Sequence, residues 1–150
     1  KIALIADADF WKELKKLKST SEFCAEKIIT KAIELKNSIV KKDLHETNLR
    51  KSLNFGHNIG HALESALIEQ DKDILHGEAV AAGMLMDAEI ANELKRISKK
   101  ELKDISDYLE VIYKKIKITK ETEALLLKTD KFSRPQDCRG CILLLSCFHF

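Results

Sequence analysis

His57 and His61 stand four residues apart in Arg50-Lys51-Ser52-Leu53-Asn54-Phe55-Gly56-His57-Asn58-Ile59-Gly60-His61, and a third histidine follows in Leu75-His76-Gly77-Glu78. Neutral imidazole is the commonest metal ligand among side chains, and residues i and i+4 share one face of a helix. The run therefore offers a divalent cation two aligned nitrogens, with His76 supplying another from a nearby turn. A catalytic zinc commonly takes three protein ligands and keeps one position open. A carboxylate would complete such a set, and Glu46, Glu64 and Glu78 are the candidates by residue type. The competing reading is an amphipathic helix with two solvated histidines. Gly56 and Gly60 weigh against it, because each costs about 1 kcal/mol relative to Ala in a helix interior. Two of them beside the histidines signal a close approach by another segment.

Other charged groups surround this run. Arg50 precedes the histidines by about two turns and can clamp a carboxylate or phosphate through two parallel hydrogen bonds; Lys36 can act only as a point charge. His76 opens a second helical pattern with Glu78 in its first turn, where a carboxylate suits the helix dipole. The same dipole disfavours protonation of His76 and keeps it able to bind metal. Gly77 can supply an unusual turn geometry there, and Ala79, Ala82 and Gly83 form a small-residue face. At the other end, Cys138, Cys141, Cys147 and His149 are zinc-binding residue types whose spacing matches no structural zinc site, so incidental cysteines are the preferred reading.

The elements that must position these residues are helical. Apolar residues at helical spacing predict helices over 7–17, 22–40, 54–68, 76–97, 101–116 and 120–128. The second carries Phe23, Ile28, Ile29, Ala32, Ile33 and Leu35 on its apolar side; the third carries Phe55, Ile59, Ala62, Leu63 and Ala66 opposite His57 and His61. Residues 41–49 read as a polar connection, 69–73 as a charged loop and 132–140 as a loop. Residues 141–145 fit either a short buried β element or a helix end. One Pro and five Gly among 150 residues leave long helices uninterrupted. The expected architecture is all-α, a helical bundle-like domain over 1–150.

Bulk properties narrow the partners. Twenty-six basic and 24 acidic residues give a net charge of +2, too balanced for a nucleic-acid partner. No apolar run reaches the roughly 18 residues of a membrane span. Asp7 interrupts the first apolar run too early for a secretory signal, and the cysteines form no spaced disulfide framework. A reducing cytoplasm is the expected compartment. The missing initiator Met suggests a piece of a longer protein.

Together these residues resemble 3-dehydroquinate synthase. That family carries Arg-x-x-Leu-Asn-Phe-Gly-His-x-x-Gly-His-Ala-x-Glu followed by Leu-His-Gly-Glu-Ala-Val-x-x-Gly-Met, matched here at 50–64 and 75–84. Lys36 and Asp43 fall where the family has a lysine and an aspartate, and residues 1–7 are similar to its lysine-bearing segment ahead of the helical domain. The resemblance covers 1–130 and leaves 131–150 as a divergent tail. It implies that His57 and His76 are ligands to zinc (or cobalt), and that Lys1, Lys36, Arg50, Asn54 and His61 line the substrate site. Lys36, Arg50, Asn54 and His61 would also serve catalysis. The implied reaction cyclises a seven-carbon keto-acid sugar phosphate to 3-dehydroquinate with loss of phosphate, using NAD, in the shikimate pathway.

The sequence departs from the family in three respects. The family binds NAD through a separate N-terminal α/β domain, which the resemblance implies for the whole protein, and this sequence shows no glycine-rich dinucleotide loop. The family's third zinc ligand, a glutamate, falls three residues ahead of the Lys1 position. Phe132 replaces a family lysine, and the cysteine-rich end is unfamiliar. The expectation is a helical metal- and substrate-binding domain that by itself lacks turnover, binds zinc weakly and self-associates, within a homodimeric whole. The rival readings are another sugar-phosphate cyclase, a metal-dependent polyol dehydrogenase and a non-catalytic helical remnant. Arg50 with Leu53-Asn54-Phe55 favours a cyclase over the dehydrogenase.

Overall fold

The computed structural model describes residues 1–19, 21 and 25–113. Among these residues six α-helices follow one another: α1 Ile2–Ala6, α2 Ala8–Leu14, α3 Glu26–Lys42, α4 His57–Ile68, α5 His76–Glu93 and α6 Lys99–Ile112. A 3-10 helix, Leu49–Asn54, lies between α3 and α4. There is no strand among the described residues, in agreement with the all-α expectation. No described helix is long and apolar enough to cross a membrane. The expected helix over 120–128, the alternative β element at 141–145 and the tail cysteines lie outside the described residues.

The first helical stretch is two helices rather than one. Asp7 adopts extended backbone (φ −157°) and its carboxylate accepts the Phe10 N–H at 2.7 Å, capping α2. That hydrogen bond, with Lys31 3.3 Å away on α3, holds the Asp7 carboxyl below its usual range. Leu4, Ile5, Phe10, Trp11 and Leu14 are buried. Helix α6 closes over them. Ser98 and Glu101 form a reciprocal capping box at its start. Tyr108 meets Trp11 edge-on at 5.0 Å between ring centroids, and its hydroxyl donates to the Leu14 carbonyl at 2.6 Å. The Trp11 indole N–H and Lys15 both donate to Asp104.

Helix α3 corrects the apolar face expected of it. Ile39 is its one buried residue, while Ile29 and Ile33 are 47% and 54% exposed. Ile28, Ala32 and Leu35 pack only partly against the core. A helical period selects a face, but only tertiary packing decides whether that face is covered. Together with Phe10, Leu14 and Tyr113, Ile28, Ile29 and Ile33 line an open cleft that also contains Lys1 and Lys36.

The pairing of α4 with α5 dominates the second half of the chain. A Cβ on Gly83 would overlap the Gly56 carbonyl oxygen and stand 2.7 Å from the Gly60 nitrogen. One on Gly60 would stand 2.9 Å from the Val80 Cα. Backbone therefore meets backbone at this crossing, as the small residues suggested. The expected helix start at 54 is corrected: Gly56 has φ +77°, left-handed backbone that suits glycine, and it separates the 3-10 helix from α4. Gly77 needs no such freedom. It lies in the first turn of α5 with open space around its Cα, and the unusual turn expected there is absent.

Candidate metal centre and anion-binding surface

Helix geometry assembles the imidazoles. Val80 lies against Gly60 and Met84 against Gly56, so α4 and α5 run antiparallel. One more turn in each direction brings His76 to Glu64. His57, His61 and Glu64 occupy one face of α4, at i, i+4 and i+7. The three rings gather there, with centroid separations of 5.7 Å for His57–His61, 5.7 Å for His57–His76 and 5.1 Å for His61–His76. Metal–nitrogen bonds of about 2 Å place two rings on a tetrahedral ion with centroids on the order of 5 Å apart. The ring spacings are of that order.

Glu64 joins the cluster. Its Oε2 is 3.0 Å from His76 Nδ1 and 3.6 Å from His61 Nδ1. Ligand atoms of His61, Glu64 and His76 all lie within 4.8 Å of one another, a group among the described residues that could hold a metal ion; His57 is not part of it. Contact with His76 holds the Glu64 carboxyl below its usual range. His57 sits slightly apart. Its two ring nitrogens lie 3.3 and 3.5 Å from Lys1 Nζ, whose ammonium also donates to the Leu53 carbonyl. Burial, then the Lys1 charge, pushes the His57 pKa down and favours the neutral ring that a metal requires. Imidazole nitrogens, at least one on a ring biased to be neutral, suit a borderline divalent cation such as zinc.

Before α4, the chain is organised by two acidic residues. Asp43 accepts hydrogen bonds from the backbone N–H groups of Thr47, Asn48 and Arg50 and from the Thr47 hydroxyl. Those N–H donors, Arg50 first, hold its carboxyl far below the usual range. The connection at 41–49 is thus a folded turn that sets the 3-10 helix. Glu46, in left-handed backbone (φ 54°), accepts from Asn54 Nδ2 at 2.8 Å and faces Arg50 Nε at 3.8 Å. Arg50 also donates to the Leu44 carbonyl at 3.0 Å. Glu46 therefore holds Arg50 and Asn54 in one group, and Lys1 links the end of the 3-10 helix to His57. Lys36 is exposed on α3 and shares the adjoining cleft with Lys1.

Residue type alone suggested Glu46 and Glu64; their geometry now gives them partners. The i+3 spacing of Glu64 from His61 was the available signal. Asp87 is the residue that sequence reasoning missed. It is 2% exposed on α5, accepts the Gly56 N–H at 2.7 Å and leaves its Oδ1 without a partner. Burial raises its pKa to about 6, against the lowering effect of the Gly56 hydrogen bond.

Residues 1–132 match the family model described as 3-dehydroquinate synthase C-terminal. The chain belongs to that family. It is 38% identical over 136 residues to the 3-dehydroquinate synthase of Helicobacter pylori (strain P12), covering 83% of this chain and 38% of the relative. The 3-dehydroquinate synthase of Streptococcus pyogenes (serotype M18) is 39% identical, covering 73% of this chain and 30% of the relative. That of Picrophilus torridus is 48% identical over 85 residues, covering 50% and 24%. The chain thus spans less than two-fifths of the length of these relatives. Both histidine motifs and the Arg50–Asn54 group lie inside the span of the 3-dehydroquinate synthase C-terminal model.

Proposed function

We propose that this chain is the metal- and substrate-binding part of a 3-dehydroquinate synthase. The whole enzyme would convert a seven-carbon keto-acid sugar phosphate to 3-dehydroquinate, with loss of phosphate, in the shikimate pathway of the cytoplasm. The observation that carries the reading is the meeting of three imidazoles and Glu64 at the α4–α5 crossing. His57 and His76 would hold zinc or cobalt, with His61 and Glu64 beside them. When bound, such a metal polarises a substrate hydroxyl.

The remaining work falls to the chain's own groups. Arg50, steadied by Glu46 and the Leu44 carbonyl, would receive a carboxylate or phosphate through its remaining N–H edge. Lys1 and Lys36, in the adjoining cleft, would add positive charge for the same anionic substrate. Asn54, fixed by Glu46, would orient a hydroxyl. His61, a half-exposed ring near Glu64, would accept and return a proton. Gly56, Gly60 and Gly83 are committed to the helix crossing and form no dinucleotide loop. By its resemblance to the family, NAD would be held mainly by another part of the whole enzyme. Homodimerisation of that enzyme, and self-association of this chain through the exposed α3 isoleucines, belong to the same reading.

Zinc titration of the 150-residue chain by calorimetry should show one site, lost on His57→Ala or His76→Ala. Absence of uptake would remove the metal centre from the proposal. With sugar phosphate, NAD and zinc supplied, the same chain should release no phosphate; turnover would overturn its reading as one part of the enzyme.

A further inference from the structure

Glu64 is placed to govern which nitrogen of His76 is free. It lies three residues after His61 on α4 and directly across the helix crossing from His76. Its Oε2 stands 3.0 Å from His76 Nδ1. A carboxylate can only accept, so Nδ1 must carry the proton, and the lone pair of the neutral ring is then on Nε2. The 3.6 Å separation from His61 Nδ1 is too long for a hydrogen bond and acts as a weaker electrostatic contact. Glu64 is also the best-covered of the three side chains, 23% exposed against 43% for His61 and 51% for His76. The two more exposed rings thus meet the more covered carboxylate.

We propose that Glu64 is a positioning residue: it fixes His76 as the Nδ1–H tautomer and so reserves Nε2 for the metal. This inference rests on the metal-site reading above. The rival arrangement, in which Glu64 is itself a ligand, uses the same short distances and predicts different behaviour.

Two measurements separate them. Long-range proton–nitrogen correlation spectra of the metal-free, 15N-labelled chain at pH 8 report the tautomer directly. His76 should be Nδ1–H in the unmodified chain. Glu64→Gln, which keeps an accepting oxygen, should preserve that state, and Glu64→Ala should release an Nε2–H population. Cobalt titration then reads the metal. Glu64→Ala should weaken affinity 10–100-fold, the usual effect of removing a group that orients a ligand. Glu64→Gln should retain the cobalt absorption bands of the unmodified chain. An Nε2–H ring at His76 in the unmodified chain, or bands lost equally in both variants, overturns the proposal. Failure of the unmodified chain to bind cobalt would count against the metal centre alone, because the tautomer spectra need no metal.

Discussion

Gly83→Ala adds one methyl group where α4 and α5 touch. The new Cβ would overlap the Gly56 carbonyl oxygen and lie 2.7 Å from the Gly60 nitrogen, both backbone atoms with no side-chain freedom to yield. Relief requires the helices to part by on the order of 1 Å. Overpacking of this kind costs about 1–3 kcal/mol, against a gain of about 1 kcal/mol from the better helix propensity of Ala. The expected balance is a loss of up to about 2 kcal/mol. For a chain of 150 residues each kcal/mol lowers Tm by roughly 2–4 °C. The same separation carries His76 away from His57 and His61, so zinc affinity should fall together with Tm. Gly77→Ala is the internal control. It lies on the same helix with nothing within 4 Å of the added atom, so it should raise Tm by a few degrees. Thermal unfolding followed by far-UV circular dichroism, with zinc titration of both variants, makes the comparison. A Gly83→Ala chain as stable as Gly77→Ala, with unchanged zinc affinity, would refute the close crossing as the device that gathers the histidines.

Asp87 gives a pH dependence whose sign is fixed. Its folded pKa is raised from 3.8 to about 6 by burial. Ionisation therefore opposes folding: the group costs nothing below about pH 4 and reaches its full cost, on the order of 3 kcal/mol, above pH 6. The Tm of Asp87→Asn minus that of the unmodified chain should rise between pH 4 and 7 and then level off; a difference that stays flat or falls contradicts the buried charge. Asp43 has the opposite sign, because its folded pKa is depressed. Asp43→Ala should lower Tm at pH 7, with the deficit shrinking below about pH 4, where the unfolded chain takes up a proton that the native carboxylate resists; an equal deficit at pH 7 and pH 2 would be the adverse result. Tyr108→Phe removes the bond to the Leu14 carbonyl and should cost about 0.5–1.5 kcal/mol in denaturant unfolding; no loss would show that bond to be energetically idle.

The helices carrying the site were legible because their signals are local. His57 and His61 share a face by spacing alone, and Gly56, Gly60 and Gly83 announced a close neighbour before that neighbour was known to be α5. The helix starting at His76 was legible from Glu78, whose carboxylate does reach back to the Leu75 N–H. The break at Gly56 was not, since a left-handed residue inside an apolar repeat leaves the repeat intact. Nor was the exposure of Ile29 and Ile33, because periodicity names a face without naming what covers it. Asp87 was hidden for a related reason. A carboxylate in a helical pattern reads as solvent-facing until the N–H it serves, 31 residues earlier, is brought against it by the fold.

The convergence of the imidazoles is open to direct measurement. Zinc K-edge X-ray absorption on the zinc-loaded chain should show nitrogen or oxygen ligands at about 2.0–2.1 Å, with outer scattering from at least two imidazole rings. His57→Ala and His76→Ala should each remove one ring from that signal. A zinc shell without imidazole scattering, or one that neither substitution alters, would contradict a shared centre at the α4–α5 crossing.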